Sequence, residues 1–219
     1  RLLTHETGFA GKVIQTGRST MAARQFDQLR WAQRDGIPPA VFHGDGPSGE
    51  SGIGVYRMHF NGGAHLITNS QQHLVCFQVS PLVRWDCRMA GRRIIHETVG
   101  GSLAICPAGV DVAADADGTV DAIAITVNPR QLALVAAEDS ALDAVLPERF
   151  SGKNQALQRV AQSLLAESSE GYPNGALFWS EATGRFISRL LSDHTSMPQR
   201  PSRGRLDHRA LQRIRDHVL

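Results

Sequence analysis

The chain has 219 residues, of which 42% are hydrophobic, and its 23 basic and 21 acidic residues leave a formal net charge of +2 at neutral pH. This composition predicts a soluble, folded protein with a sizeable core, and the net charge is too small to indicate nucleic-acid or membrane binding. No apolar run approaches the roughly 18 residues that span a bilayer, and no signal-peptide pattern precedes the first predicted elements.

Residues 1–50 form a weakly patterned N-terminal segment. Apolar residues recur at a loose helical spacing within 19–33, and glycine and proline follow from Gly36 onwards, so we predict a short helix there. The stretch from Phe42 to Gly54 contains five glycines and one proline. That density predicts a loop leading into the next unit.

From Ile53 to Val127 the pattern changes to short runs rich in β-branched and aromatic residues, separated by glycine, proline, aspartate and asparagine. The spacing of these runs, without helical segments between them, indicates an antiparallel sandwich or barrel. Eight such runs suit a jelly-roll barrel, which we place at residues 51–140. The fold class predicted is therefore α+β, with a mostly antiparallel β jelly-roll followed by helices.

After Val127 the apolar period becomes helical. Asn128 and Pro129 form an N-cap and first-turn pair, which predicts a helix of about ten residues. Residues 154–168 and 176–194 each repeat apolar side chains at helical spacing, with a break at Gly171 and Pro173. Two amphipathic helices joined by a short break predict a helical hairpin over residues 141–194.

Residues 195–205 combine prolines, serines and arginines and are predicted to form an extended linker. Behind it, Asp207 caps a last predicted helix within residues 206–219, which is too short to bury its own apolar face. Arg203, Arg205 and Arg209 are candidates for contacts to DNA phosphates, although a solvated charged face explains such a short basic stretch equally well.

Alternation within the strands identifies candidate ligand-binding residues. A mostly apolar barrel with a few inward polar groups is the usual composition of a small-molecule pocket. The period alone leaves open which face of each strand points inward. The candidates are Arg57, His59, Cys76, Gln78 and Trp85.

The sequence offers little for catalysis or metal binding. No His-x-His pair occurs, although four histidines, His59, His65, His73 and His96, lie close enough in the strand region to meet across strands. Cys76, Cys87 and Cys106 form no Cys-x-x-Cys pair and lie in apolar runs, so neither a disulfide framework nor a structural zinc site is expected. We expect no catalytic residue, metal or cofactor, and a reducing cytoplasm as the compartment.

Two stretches of the sequence, and the order in which they occur, resemble the AraC/XylS family of bacterial transcription regulators. The strand and turn "GGSLAICPAG" is similar to a "G-D-L-x-I-x-P-A-G" pattern in the sensor domains of that family. The stretch "GRLDHRALQRIRDHV" resembles the start of their DNA-binding domain. The matching residues are Gly204, Leu206, Leu211, Arg213, Ile214, Asp216 and Val218. The resemblance covers about residues 50–219.

This resemblance implies a cupin-like sensor domain that binds a small effector, a helical hairpin that pairs two subunits, and a helix-turn-helix domain of which residues 206–219 are the first helix. The full-length protein, and not this stretch alone, would then bind DNA. The alternatives are a metal-dependent cupin enzyme and a dimerisation module without an effector. The residues expected at the homodimer interface are Leu157, Val160, Leu164, Phe178, Phe186 and Leu190.

Overall fold

The structure is a computed structural model, and it describes residues 29–33, 40–47, 52–61, 63–68, 70–138 and 145–195. These ranges contain ten strands and three helices. The strands are β1 (Leu29–Gln33), β2 (Ala40–Gly44), β3 (Ile53–Phe60), β4 (Ala64–Thr68), β5 (His73–Gln78), β6 (Leu82–Met89), β7 (Arg92–Val99), β8 (Leu103–Cys106), β9 (Val112–Asp117) and β10 (Val120–Val127). The helices are α1 (Pro129–Glu138), α2 (Gln155–Ser169) and α3 (Gly175–His194).

The strands form two antiparallel sheets of five strands each. Sheet A has the order β1-β4-β9-β6-β7, and sheet B has the order β2-β3-β10-β5-β8. The two sheets pack face to face as a sandwich, which is consistent with the predicted jelly-roll. The prediction of a barrel is corrected here, because the strands described form two separate sheets and do not close into one.

Burial follows the period of two expected for a sheet with one covered face. In β3, Tyr56, Met58 and Phe60 are buried, whereas Arg57 is exposed and His59 is half-buried. Strand β10 differs, since seven of its eight residues are buried and Asp121 alone is half-buried. Its place at the centre of sheet B explains this, because sheet A covers one face and the helices cover the other.

The helices pack on the outer face of sheet B. Ile123 and Ile125 of β10 belong to one buried cluster with Leu157 and Leu164 of α2. Phe186 of α3 joins the same cluster and meets the ring of Phe77 edge to face, with centroids 6.4 Å apart. A second cluster fills the space between the two sheets. The chain therefore has two apolar layers, one on each side of sheet B.

Local signals explain where the helices begin. The side chain of Asn128 accepts a hydrogen bond from the backbone N–H of Arg130 at 2.9 Å, as predicted for the start of α1. Asn154 accepts one from the backbone N–H of Leu157 at 3.0 Å at the start of α2. None of the helices in the described ranges is both long enough and apolar enough to cross a lipid bilayer.

Within residues 1–50, two predicted elements differ from the structure. The end of the predicted helix is strand β1, which pairs with β4 from Leu29 opposite Thr68 to Gln33 opposite Ala64. Part of the predicted loop is strand β2, which pairs with β3. Both strands form by pairing with strands that are distant in sequence, and a local sequence pattern holds no information on such pairing. The rest of the predicted helix, residues 196–205 of the linker and the last predicted helix lie outside the described residues.

Candidate functional site

A cavity of about 80 Å³ lies between the two sheets. Sheet A contributes side chains from β4, β6, β7 and β9, and sheet B contributes side chains from β5, β8 and β10. Most of the wall is apolar, with Leu66, Met89, Val112 and Val120 among its residues. A mostly apolar cavity with a few polar groups is the usual form of a small-molecule site.

The polar part of the wall comes from three strands whose alternation turns every second side chain inward. Strand β5 contributes Cys76 and Gln78, and β6 contributes Trp85 and Cys87. Strand β7 contributes His96, which lies directly opposite Trp85 in the β6–β7 pairing. Two rings therefore lie side by side on the inner face of sheet A.

Gln78 organises this wall through its buried side-chain amide. Its Nε2 donates to the carbonyl oxygen of Ser80 at 3.0 Å and to that of Thr98 at 3.1 Å. Its Oε1 accepts from the hydroxyl of Thr98 and from Nε1 of Trp85, the latter at 3.4 Å. Both donors and both acceptor positions of the amide are occupied, so Gln78 holds Thr98 and Trp85 in place and has no hydrogen bond left for a ligand.

The three cysteines all border the cavity, and burial changes their acidity. Desolvation raises the pKa of Cys76 to about 12, and it does the same to the pKa of Cys87. Burial also raises the pKa of Cys106 well above its ordinary value. Because the thiolate is the reactive form of cysteine, these neutral thiols are poor nucleophiles at neutral pH. They act as small, polarisable parts of an apolar wall.

His96 and Phe150 both border the cavity. Their rings meet edge to face with centroids 6.4 Å apart, and the guanidinium carbon of Arg92 lies 5.6 Å from the centroid of Phe150. The Nδ1 atom of His96 is buried and has no hydrogen-bond partner among the described atoms. An unsatisfied buried polar atom costs about 1–3 kcal/mol, so His96 has hydrogen-bonding capacity that the folded chain does not use.

Phe150 is held in this position by backbone pairing with the edge of sheet B. The N–H of Ile105 donates to the carbonyl oxygen of Arg149 at 2.9 Å, and the N–H of Arg149 donates back at 3.0 Å. The N–H of Leu103 donates to the carbonyl oxygen of Gly152 at 2.9 Å. Phe150 was missed in the sequence because it lies in a short stretch with no periodic pattern, and its pairing with β8 is not local.

Of the five predicted ligand-binding residues, three border the cavity and two do not. Cys76, Gln78 and Trp85 border the cavity. Arg57 and His59 do not, because they lie on the opposite face of β3 from the residues packed between the sheets. Arg57 donates to Oδ2 of Asp121 at 2.8 Å, and the Nε2 atom of His59 lies 3.0 Å from Oδ1 of Asn61. The assignment of these two residues to the pocket is therefore corrected.

The residues expected at a dimer interface are also divided. Leu157, Leu164, Phe186 and Leu190 have no exposed area and pack inside the chain against sheet B. A partner subunit reaches none of them without opening that core, so this part of the assignment is corrected. Val160 is half-buried and Phe178 is 36% exposed. The arginines expected near DNA phosphates, Arg203, Arg205 and Arg209, lie outside the described residues.

The four strand-region histidines lie at separate places. His65 is on the outer face of sheet A, where its Nδ1 atom is 2.7 Å from Oδ1 of Asp115. The Nδ1 of His73 accepts from the backbone N–H of Ala108 at 3.1 Å, and burial lowers the pKa of His73. Of the four, His96 alone borders the cavity. Across the part of the chain that the structure describes, no group of three or more histidine, cysteine, aspartate or glutamate residues is arranged to hold a metal ion.

Comparisons with known proteins identify no family. No protein-family model matches the chain, and no curated protein matches it significantly. The AraC-like transcriptional activator CuxR is 9% identical over 75% of this chain and 64% of its own, with a TM-score of 0.45. A mutant of Bacillus subtilis oxalate decarboxylase OxdC is 12% identical over 60% of this chain and 41% of its own, with a TM-score of 0.36.

A third solved structure, an RmlC-like cupin from Shewanella frigidimarina, is 15% identical over 48% of this chain and 87% of its own, with a TM-score of 0.34. This chain spans less than two thirds of the length of the activator and of the decarboxylase.

Proposed function

We propose that this chain is the ligand-sensing and dimerisation part of a bacterial DNA-binding transcription regulator. The observation that carries the proposal is the cavity between the sheets, which has a built polar wall at Gln78, Trp85 and Thr98 and an unused hydrogen-bonding atom at His96. The two sequence stretches that resemble AraC/XylS regulators lie on either side of the helices, in the order expected for that family.

The segment at residues 149–154 would connect the cavity to the helices. Phe150 borders the cavity, and Asn154, four residues later, caps α2. The Nδ2 of Asn154 also donates to Oδ2 of Asp193 at 2.9 Å, near the end of α3. A ligand that contacts Phe150 therefore contacts a segment that joins the start of α2 to the end of α3. It shifts the protein between two arrangements only if its affinity for them differs.

Pairing of two subunits would use the exposed part of the helical layer. Leu177 is 83% exposed and adjoins Phe178 at the start of α3, so the two form an apolar surface outside the monomer core. In this proposal, pairing places two DNA-binding units on one operator, and the cavity reports the effector to both.

The test uses the complete product of the native gene and DNA from upstream of that gene. We expect the complete product to retard this DNA in a gel, and the 219-residue chain alone to leave it unshifted. Sedimentation of the 219-residue chain should show a dimer at micromolar concentration. A complete product that binds no DNA, or a chain that stays monomeric at high concentration, contradicts the proposal. About one transition metal per chain in elemental analysis would favour a cupin enzyme instead.

A further inference from the structure

Few ionisable side chains line the cavity. Among the described residues that line it, none is an aspartate, glutamate, lysine or arginine, and Cys76, Cys87 and Cys106 are neutral thiols. Burying a charge without a partner is strongly unfavourable, because the ion loses its hydration and no counter-ion compensates for the loss. An ionic ligand would find no lysine, arginine or carboxylate among the described residues of the wall.

Most of the polar groups in the wall are already committed to one another. Gln78 uses both donors and both acceptor positions, and the hydroxyl of Thr98 donates to it. The hydroxyl oxygen of Ser102 accepts from the backbone N–H of Val99 at 3.2 Å. A ligand with many hydroxyl groups would give up its hydrogen bonds to water and find few replacements.

His96 is the exception among these polar groups. Its buried Nδ1 has no partner, and a neutral imidazole has one nitrogen that donates and one that accepts. Two aromatic residues are its neighbours, since Trp85 lies opposite it in the strand pairing and Phe150 meets it edge to face. An imidazole that borders the cavity beside aromatic side chains suits a ring that carries a single polar substituent.

The volume limits the size of the ligand. At about 80 Å³ the cavity has roughly half the volume of the apolar cavity of about 150 Å³ that accepts benzene, so a single ring enters only if side chains of the wall move aside. A molecule with more than one ring would have to displace Phe150 and break the backbone pairing of its segment with Ile105 and Leu103.

We propose that the cavity binds a small, neutral, largely apolar molecule, a single ring with one hydrogen-bonding group, and that His96 is the residue that selects for that group. This inference rests on the proposed sensing function and specifies its ligand. It sets the ligand apart from sugars, which have too many hydroxyl groups, and from carboxylates, which carry a charge.

The test is a binding experiment on the purified 219-residue chain with four probes at neutral pH: phenol, toluene, benzoate and glucose. We expect phenol and toluene to raise the unfolding midpoint, and benzoate and glucose to leave it unchanged. By calorimetric titration, phenol should bind about tenfold more tightly than toluene, because one additional hydrogen bond is worth about that factor.

Two matched variants assign the preference to His96. In His96→Phe the phenol-to-toluene ratio should fall to about one, since the hydrogen bond is lost while the aromatic surface is kept. In His65→Phe, where the histidine lies on the outer face of the same sheet, the ratio should stay at about ten. Ala114→Leu, which adds carbon atoms at a cavity-lining position, should weaken the binding of both ligands. If that variant does not fold, the comparison of the two histidine variants still decides the point.

Three results would overturn the inference. Stabilisation by benzoate or glucose, with no effect of phenol, shows that the ligand class is wrong while a sensing role remains. An unchanged phenol-to-toluene ratio in His96→Phe shows that His96 does not select the ligand. No effect of any probe also rejects the ligand class, and the DNA-binding experiment above then judges the regulator proposal separately.

Discussion

Asn154 joins the start of one helix to the end of the next, because its Nδ2 donates to Nε2 of His194 at 2.9 Å while its Oδ1 accepts from the backbone N–H of Leu157 at 3.0 Å. The same Nδ2 donates to Oδ2 of Asp193 at 2.9 Å. One side chain therefore caps α2 and holds the last turn of α3. This contact also follows directly after the segment that places Phe150 at the cavity.

Replacing Asn154 by alanine should lower the free energy of unfolding by about 1–2 kcal/mol, because both the N-cap and the contacts to α3 are lost. Urea unfolding followed by circular dichroism measures this. Asn61→Ala is the matched control, since Asn61 is exposed and pairs only with the exposed side of His59, and its effect should stay within about 0.5 kcal/mol. Equal losses in the two variants would show that the helix junction contributes nothing.

Stability should fall as the pH drops below about 6.5, the ordinary pKa of histidine. Burial, and then the charge of Arg149, lower the pKa of His194, and burial lowers the pKa of His73. The unfolded chain then binds more protons than the folded one just below pH 6.5. The contribution of these two histidines to the free energy of unfolding is therefore fully present above that pH and decreases below it.

Urea unfolding between pH 5 and 8 measures this dependence. His194→Gln should make it shallower, while His73 still contributes. A His194→Gln variant with the full slope of the original chain would contradict the assignment.

Substitutions of two aromatic residues of α3 should have different effects, one on the free energy of unfolding and the other on dimerisation. Phe186 is fully buried against Phe77, so Phe186→Ala should lower the free energy of unfolding by about 3–5 kcal/mol. Phe178 is 36% exposed, so Phe178→Ala should cost about 1 kcal/mol or less and weaken the dimer. Unfolding experiments and sedimentation at several concentrations test the two expectations. A Phe178→Ala variant that dimerises like the original chain would place the interface elsewhere.

Gly46 should be less tolerant of a side chain than other glycines with the same backbone conformation. Its φ of +93° favours glycine, and a Cβ atom added there would overlap the indole of Trp179. Gly118 has a φ of +88°, but an added Cβ would meet nothing within 4 Å. Gly118→Ala should therefore cost about 1 kcal/mol from backbone strain alone, and Gly46→Ala about 1–3 kcal/mol more from the overlap. Equal costs would show that Trp179 moves aside freely.

The sequence predicted the eight strands between Ile53 and Val127 well, because one covered face per strand imposes a period of two that glycine and proline interrupt at the turns. The three helices also lie close to their predicted ranges, and Asn128 caps α1 as expected. Strands β1 and β2 were not predicted. These two strands form by pairing with β4 and β3, which are distant in sequence. The local patterns indicated other structures, because apolar spacing near β1 suggested a helix and glycine content near β2 suggested a loop.

The candidate site was predicted in part for the same reason. Alternation assigned Cys76 and Gln78 to one face of β5 and Arg57 and His59 to one face of β3, but it left open which face of each strand points inward. That choice depends on which side of each sheet the other sheet covers. Phe150 has no periodic signal, so its position beside His96 was outside the reach of any local pattern.

The sequence by itself determined the periods, and with them the eight strands from Ile53 to Val127, the three helices and the amphipathic character of each helix. The tertiary structure decided what covers each apolar stripe. Each of the helices α2 and α3 has an apolar stripe, which includes Leu157 and Leu164 in α2 and Phe186 and Leu190 in α3. The pattern of such a stripe is the same whether a partner subunit or the chain's own sheet buries it. Here sheet B covers the stripe, because the outer faces of β10 and β5 are apolar as well, and burying both surfaces within one chain removes them from water together.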